Sequence, residues 1–291
     1  MDRNELLAQF DREMRLDPPV IEGYLVEKVG SVVRLMGLTE HCILHTQAPP
    51  SELAHVVAEQ VADLRPRGQL VEWKVYSHDP TPELPRFLAA AGFVPKPQET
   101  LMVFDLRTEF LPGPAPAAVE FRRIQDEAGF RDLVAVDRAA FEDFDPALYE
   151  RVRERLHDPR VGIFVAYAHG VPAAGGRVEV ERGKSFAGLF GGGTVPEFRR
   201  RGIYHHLIRV RAEFARQAGA RYLAVEAIDT TSRPILEKVG FLPLAGVEGW
   251  VLSPRGPIQK SDSELRASGA DVPSVLARPA TPETEPSSLD R

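Results

Sequence analysis

Cysteine is almost missing: the 291 residues contain one, Cys42. That excludes a disulfide framework and a cysteine-rich zinc cluster, and it suits a reducing compartment. Long apolar runs are missing as well, since no stretch of the sequence approaches the roughly 18–20 residues of a membrane-spanning helix. The first residues, Met1-Asp2-Arg3-Asn4-Glu5, carry charge where a secretory signal would hold an apolar run. A cytoplasmic protein with no membrane partner is the expectation. A surplus of positive charge is also lacking: 36 Lys and Arg stand against 42 Asp and Glu, for a formal net charge of -6, so a nucleic-acid-coating surface is not expected. What is present is an ordinary globular balance, 43% hydrophobic and 27% charged, over a length that suits two domains at roughly 100–200 residues each.

Two stretches read as connectors. The segment 108–118 places Pro112, Pro114 and Pro116 among small residues, the composition of a semi-rigid linker. From 253 to 291 there are six prolines and no aromatic residue, too little apolar surface to offset the entropy of ordering, so a mostly disordered tail is expected. The folded parts are then 1–107 and 119–252. In the second, Val119–Arg123 reads as a strand and Asp126–Phe141 as a helix with Phe130, Leu133 and Val136 on its apolar face. Pro146–Leu156 reads as a helix with Asp145 as N-cap and proline at its first position. Val161–Tyr167 and Val171–Val180 form a hairpin around His169-Gly170, and Ser185–Val195 is a glycine-rich third strand. A helix from Ile203 to Ala218 follows, with Gly219 at a left-handed C-cap, then a strand Tyr222–Ile228 and a short helix Arg233–Val239 ending at Gly240-Phe241. This alternation predicts a mixed α/β sheet with one central parallel crossover. Leu70–Phe93 repeats the order of Tyr222–Phe241, strand, turn, short helix, Gly-aromatic, and Ser51–Leu64 corresponds to the Ile203 helix, so the two halves read as copies of one unit.

The most informative segment is Val195-Pro196-Glu197-Phe198-Arg199-Arg200-Arg201-Gly202-Ile203-Tyr204, which joins a strand to a helix N-terminus. The first turn of a helix leaves backbone N–H groups without intrahelical partners, and the macrodipole adds partial positive charge there. Three successive arginines at that end are disfavoured by the dipole unless an anion joins them. The segment therefore reads as a phosphate cradle. It is neither a Walker loop nor a dinucleotide fingerprint, because no Gly-Lys-Ser/Thr follows and the glycines are not spaced G-x-G-x-x-G.

Strand, Val-Pro, Arg-x-x-Gly-x-small, helix, strand, short helix and Gly-Phe together resemble the GNAT superfamily of acyl-CoA-dependent N-acyltransferases, over about Val119 to Leu252. The resemblance implies two GNAT-like domains, each a mixed, mostly antiparallel sheet flanked by helices, the N-terminal one degenerate. It implies that the backbone of Arg199, Arg200, Arg201, Gly202, Ile203 and Tyr204 wraps the pyrophosphate of acetyl-CoA, with Tyr204 where the family usually has Gly or Ala. It also implies that Thr194 and Val195 pair with the pantetheine amides, and that Asp229 and Ser232 lie along the pantetheine arm. The N-terminal counterpart loop, His45 to Ser51, has no arginine and carries Pro49-Pro50, which remove two amides; Ser51 there reads as an N-cap, and no CoA site is expected. That half can complete the acceptor cleft, stabilise a homodimer, or only pack.

Transfer to an amine needs a base and, for the thiolate, a proton source. The tyrosine that the family often carries four residues before the glycine of the last helix is replaced by Leu236; Tyr149 and Tyr204 are the substitutes the sequence offers. Glu226 is the only carboxylate inside the strand Tyr222–Ile228. It reads equally as the general base and as a structural ion pair. Glu142, Asp143 and Asp145 fall where the family's acceptor pocket has a wall and would suit a cationic, small-molecule or peptide amine. No ligand spacing calls for a metal. The leading expectation is an acetyl-CoA-dependent N-acetyltransferase acting by direct attack in a ternary complex. An inactive CoA-binding regulatory or scaffold protein, and a tandem aminoacyltransferase, are the alternatives.

Overall fold

A computed structural model describes residues 2–21, 23–38, 40–111, 116–141 and 146–254. Glu142, Asp143 and Asp145, expected at an acceptor wall, and the segments 112–115 and 255–291 lie outside the described residues.

The N-terminal half opens with helix α1 (Arg3–Phe10), continued by a π-helical turn Asp11–Leu16. Three strands follow, β1 (Tyr24–Val29), β2 (Val32–Gly37) and β3 (Glu40–Thr46), then helix α2 (Leu53–Leu64) and β4 (Leu70–Tyr76). Helix α3 (Leu84–Ala90), the short β5 (Val94–Pro95) and β6 (Glu99–Asp105) complete it. The C-terminal half runs β7 (Val119–Arg123), α4 (Glu127–Ala140), α5 (Pro146–Glu154), β8 (Val161–Ala168), β9 (Val171–Val180) and β10 (Phe186–Thr194). It ends with α6 (Ile203–Gln217), β11 (Tyr222–Ile228), α7 (Ser232–Val239) and β12 (Leu242–Leu252).

The local signals formed the expected pieces. His169 and Gly170 both take positive φ, 51° and 80°, as a two-residue primed turn requires. Asp126 caps α4 by accepting the Gly129 N–H at 2.7 Å. Gly219 (φ 90°) ends α6, and the two copies of the Gly-aromatic stop have the same hydrogen bonds: Phe93 N–H donates to Leu88 O and Phe241 N–H to Leu236 O, both at 3.0 Å. One cap differs. The helix after the Pro49-Pro50 loop starts at Leu53 with Glu52 as its N-cap residue, because a turn closed by Glu52 N–H to Pro49 O carries the chain past Ser51 first.

All strands join one sheet, ordered β1-β2-β3-β4-β12-β6-β11-β10-β9-β8-β7, with β5 added to β12. Among the described residues only β3–β4 and β10–β11 pair in parallel, each across its crossover helix. The last strands of the halves are exchanged: β6 lies against β11, and β12 lies against β4. Helices α2, α3, α6 and α7 cover one face and α1 and α4 the other. Alternation along the strands follows this division, with Trp73 and Leu223 packed toward the first set and Tyr76, Tyr222 and Ala224 toward α1.

On the α1 face, near the centre of the sheet, lies a buried ionic cluster. Lys74 (β4) has its Nζ 2.5 Å from Glu226 (β11), 3.2 Å from Glu72 and 3.8 Å from Glu99 (β6), with its side chain 1% exposed. Lys96 reaches Glu72 at 3.2 Å. Taking an ammonium out of water costs several kcal/mol unless carboxylates surround it. Three do, but two cations cannot balance three anions at no cost. Glu99 absorbs the mismatch: burial drives its carboxyl up from 4.5 to about 7, opposed by Lys74 and Lys96 and reinforced by Glu226 and Glu72.

A carboxyl that ionises near 7 when folded and near 4.5 when unfolded holds its proton more tightly in the native state. Its contribution to stability is therefore full below about pH 4.5 and is lost as the pH rises to about 7. Glu99→Gln removes this loss. Thermal melts between about pH 5 and about pH 8 should show the variant's Tm gaining several degrees on wild type as the pH rises; a constant difference would mean Glu99 stays ionised throughout.

Candidate active site

Strands β10 and β11 pair only from Phe186–Gly188 against Tyr222–Ala224, and then diverge. The opening is a V in the sheet, with β10 on one side and Glu226 on the other. Along β10 the register against β9 slips by one residue between Phe190 and Gly193, and Gly191 takes φ 55°, so the strand bulges beside the opening. The glycines admit neighbours. An ideal Cβ on Gly193 would stand 2.7 Å from the Phe141 ring at the end of α4, and one on Gly192 would stand 3.1 Å from the Tyr204 hydroxyl. Tyr204, large where a small residue is usual in the pattern, thus lies against a strand residue that has no side chain.

The loop from β10 into α6 contains a short 3-10 turn, Pro196–Phe198, and two residues with positive φ, Arg200 (64°) and Gly202 (75°), the second being the N-cap of α6. The first amides of α6 lack intrahelical partners, and positive φ at Arg200 and Gly202 is the kind of backbone that can turn neighbouring amides toward an anion. Arg200 and Arg201 are exposed, and the Arg201 guanidinium sits over the Phe198 ring at 5.4 Å. Arg199 turns the other way. It donates from Nε to Thr194 O at 3.0 Å and from Nη2 to Ala140 O at 3.3 Å, tying the loop to β10 and to α4. Val195 N–H is committed to Ala173 O at 2.9 Å, and Thr194 O, already bonded to Arg199, keeps one lone pair. Asp229 accepts from Thr100 Oγ1 of β6 at 2.5 Å and from Arg233 at 3.2 Å, and Ser232 is buried at the first position of α7. Among the described residues, Arg199, Val195 and Asp229 thus have their side chain or N–H engaged within the protein, in the loop, the strand pairing and the β6–α7 contact.

Glu226 faces the α1 side of the V. Lys74 holds one carboxylate oxygen and the Tyr76 hydroxyl donates to the other. Its side chain is 12% exposed, against 5% for Glu72 and 3% for Glu99, so it is the carboxylate of the cluster nearest solvent. Lys74 and Tyr76 were missed by the sequence reading. The signal was there: Glu72, Lys74 and Tyr76 alternate along an otherwise apolar strand, so polar groups line one buried face.

Asp137 of α4 is a further buried carboxyl on this side. Burial pushes it up to about 7, while the Tyr149 hydroxyl, which donates to it, and Arg177 pull it down. Arg177 projects from β9 beneath the bulge, within 4.9 Å of the Phe190 ring, and also pairs with Glu179 at 2.7 Å. Tyr149 is thus engaged with Asp137. Leu236 is 1% exposed, packed in the core with Val239 and Phe241.

The corresponding V of the N-terminal half is filled. Strand β3 keeps the bulge, at Leu44, but the Leu44 carbonyl accepts Arg15 Nε at 3.1 Å, and Arg15, 1% exposed, is locked by Asp11 and Asp79 at 2.8 Å each. The loop before α2, residues 47–52, contains no residue with positive φ.

Residues 129–241 match the model of the acetyltransferase (GNAT) family. No curated protein matches the chain. Among solved structures, a GCN5-related N-acetyltransferase from Kribbella flavida superposes with a TM-score of 0.60 at 16% identity, covering 90% of this chain and 96% of that one. A tandem GNAT protein from the clavulanic acid biosynthesis pathway gives 0.56 at 15%, covering 87% and 96%. A GCN5-related N-acetyltransferase from Sphaerobacter thermophilus gives 0.58 at 15%, covering 79% of each. At these identities the likeness is one of fold, and it extends over both halves.

The approach of α4 to the bulge is tight enough to test. Gly193→Val forces a side chain into the Phe141 ring and the Ala140 methyl. Overpacking of this kind costs about 1–3 kcal/mol, so Tm should drop by several degrees. An unchanged Tm would mean that α4 can move away from β10 freely.

Proposed function

The chain carries a GNAT domain within a tandem GNAT fold, and from that premise we propose that it transfers an acetyl group from acetyl-CoA to a primary amine by direct attack in a ternary complex. The observation that carries this reading is the V between β10 and β11 opening directly beside the positive-φ turn that leads into α6. Backbone amides of residues 200–204 would receive the pyrophosphate, and Arg200 and Arg201 would add cationic field. Positive φ at Arg200 and Gly202 supports this, since such turns can bring successive amides toward one point. Thr194 would offer its remaining carbonyl lone pair to the pantetheine arm, while Val195, Asp229 and Ser232 shape the walls. Arg199 would act through the loop it braces.

An amine acceptor enters from the opposite, α1 and α4, side. Glu142, Asp143 and Asp145, in the connection after α4, would favour a cationic molecule there, small or peptidic. Glu226 is proposed as the base that takes the proton from the ammonium through water. Held by Lys74, it is kept as a carboxylate and ready to accept. With leucine at 236 and Tyr149 turned to Asp137, the leaving thiolate would gain its proton from solvent.

Two measurements test this. Titration calorimetry should find one acetyl-CoA per chain, because Arg15 fills the second V. Gly202→Val should weaken binding at least tenfold, since a β-branched residue resists φ 75° and charge-assisted hydrogen bonds are worth about 1.5–3 kcal/mol each. Two equivalent sites, or unchanged affinity, would refute the assignment. Glu226→Gln should cut kcat/KM for an amine by about 10²–10⁴-fold with little change in acetyl-CoA affinity. Activity within about threefold of wild type would remove Glu226 from the chemistry, and acetyl-CoA binding without CoA release for any amine would favour the regulatory reading.

A further inference from the structure

The half with the filled V still reaches the reacting site. Glu226 belongs to β11, yet the Lys74 ammonium at 2.5 Å and the Tyr76 hydroxyl, which bond its two oxygens, belong to β4, with β12 and β6 lying between. The reach is possible because the intervening positions are flat or apolar: Lys74 lies opposite Gly249, and Glu226 opposite Leu101. A Cβ on Gly249 would stand 2.7 Å from Glu72 Oε1, so glycine there leaves the space in which the cluster assembles.

A carboxylate with one donor on each oxygen is fixed in plane and rotamer, and hydrogen bonds to its charged form favour ionisation. Glu99, on the same face but 3.8 Å from the lysine and 3% exposed, is pushed up by burial to about 7, with Lys74 and Lys96 opposing the shift. We propose that Lys74 and Tyr76 are positioning residues for Glu226, so that the N-terminal half orients the base of the C-terminal half and keeps it ionised; this rests on the reading of Glu226 as the base.

Among the described residues, the charged and titratable groups around Glu226 include Lys74, Tyr76 and Glu72 from β4, Glu99 from β6, Lys96 behind Glu72, the buried Cys42 thiol from β3, and Arg15 stacked 3.7 Å over the Tyr76 ring. Of these, the Tyr76 hydroxyl can be removed alone. Tyr76→Phe keeps the ring between Phe10 and Arg15 and deletes one donor.

The experiment is the pH dependence of kcat/KM for one amine with acetyl-CoA. It compares wild type, Tyr76→Phe, Lys74→Met, Lys74→Arg and Glu226→Gln, with Tm and acetyl-CoA affinity measured alongside. Tyr76→Phe should move the acidic limb upward by about half to one pH unit, because one hydrogen bond to the charged form is lost. Acetyl-CoA affinity should not change. Lys74→Met should move the limb further and Lys74→Arg should restore it. A residue that only packs would lower Tm without moving the limb. If the limb stays fixed in Tyr76→Phe but vanishes in Glu226→Gln, Glu226 is the base and the positioning proposal is wrong. If Glu226→Gln keeps the limb, the base assignment itself fails, and the proposal falls with it. Should Lys74→Met not fold, Tyr76→Phe still decides the matter.

Discussion

Lys74 is the constraint around which the two halves are assembled. A lysine with 1% of its side chain exposed must have carboxylates around it, and here they come from β4, β6 and β11, strands of both halves. Removing one partner of a buried pair typically costs about 3–5 kcal/mol, because the other charge is left without compensation. The cluster therefore also specifies which strands lie side by side. A shift of β12 by one residue would bring a side chain from Glu248 or Trp250 to the place of Gly249 and close the space that Glu72 and Lys74 occupy.

Duplication of the chain is what makes this pair available. The exchange of β6 and β12 relates the halves by an approximate twofold: β4 pairs with β12 as β11 pairs with β6, so that Lys74 and Glu226 occupy equivalent positions and Glu99 faces its own counterpart, Val247. In a symmetric dimer of identical chains each of these positions would face a copy of itself, and a charge there would meet its like. With two unequal copies in one chain, one can supply the lysine and the other the glutamate. The same inequality runs through the clefts. Each half keeps a bulged strand beside its V, but one V is bordered by the positive-φ turn that leads into α6 while the other holds a buried arginine bonded to the strand's carbonyl.

Much of this was legible locally. The primed turn at His169-Gly170, the cap at Asp126, the glycine ending α6, the paired Gly-aromatic stops and the loop 195–204 are each determined within about ten residues, by φ preferences, capping side chains and periodicity. Those same signals revealed the repeat, and the repeat with the loop pointed to the fold. The alternation in Leu70–Tyr76 marked a strand, and a side-chain period of two says which residues share a face.

It does not say which strand lies next to which. That β12 joins β4 and β6 joins β11 was decided by pairing between residues more than 100 positions apart, and with it the fate of Glu226. Read along the chain, Glu226 is a carboxylate with two open roles; in the sheet it is bonded to Lys74 and Tyr76 from the other half. Arg199 is similar. Its place in the loop was plain, but the direction of its guanidinium, toward Thr194 and Ala140, depended on where α4 ends. The sequence by itself determined the elements, the Asp126 and glycine caps and the turn at residues 199–202, because these arise from interactions between near neighbours. The tertiary structure alone decided the partners of the buried charges, because desolvation acts only once distant strands have closed over them.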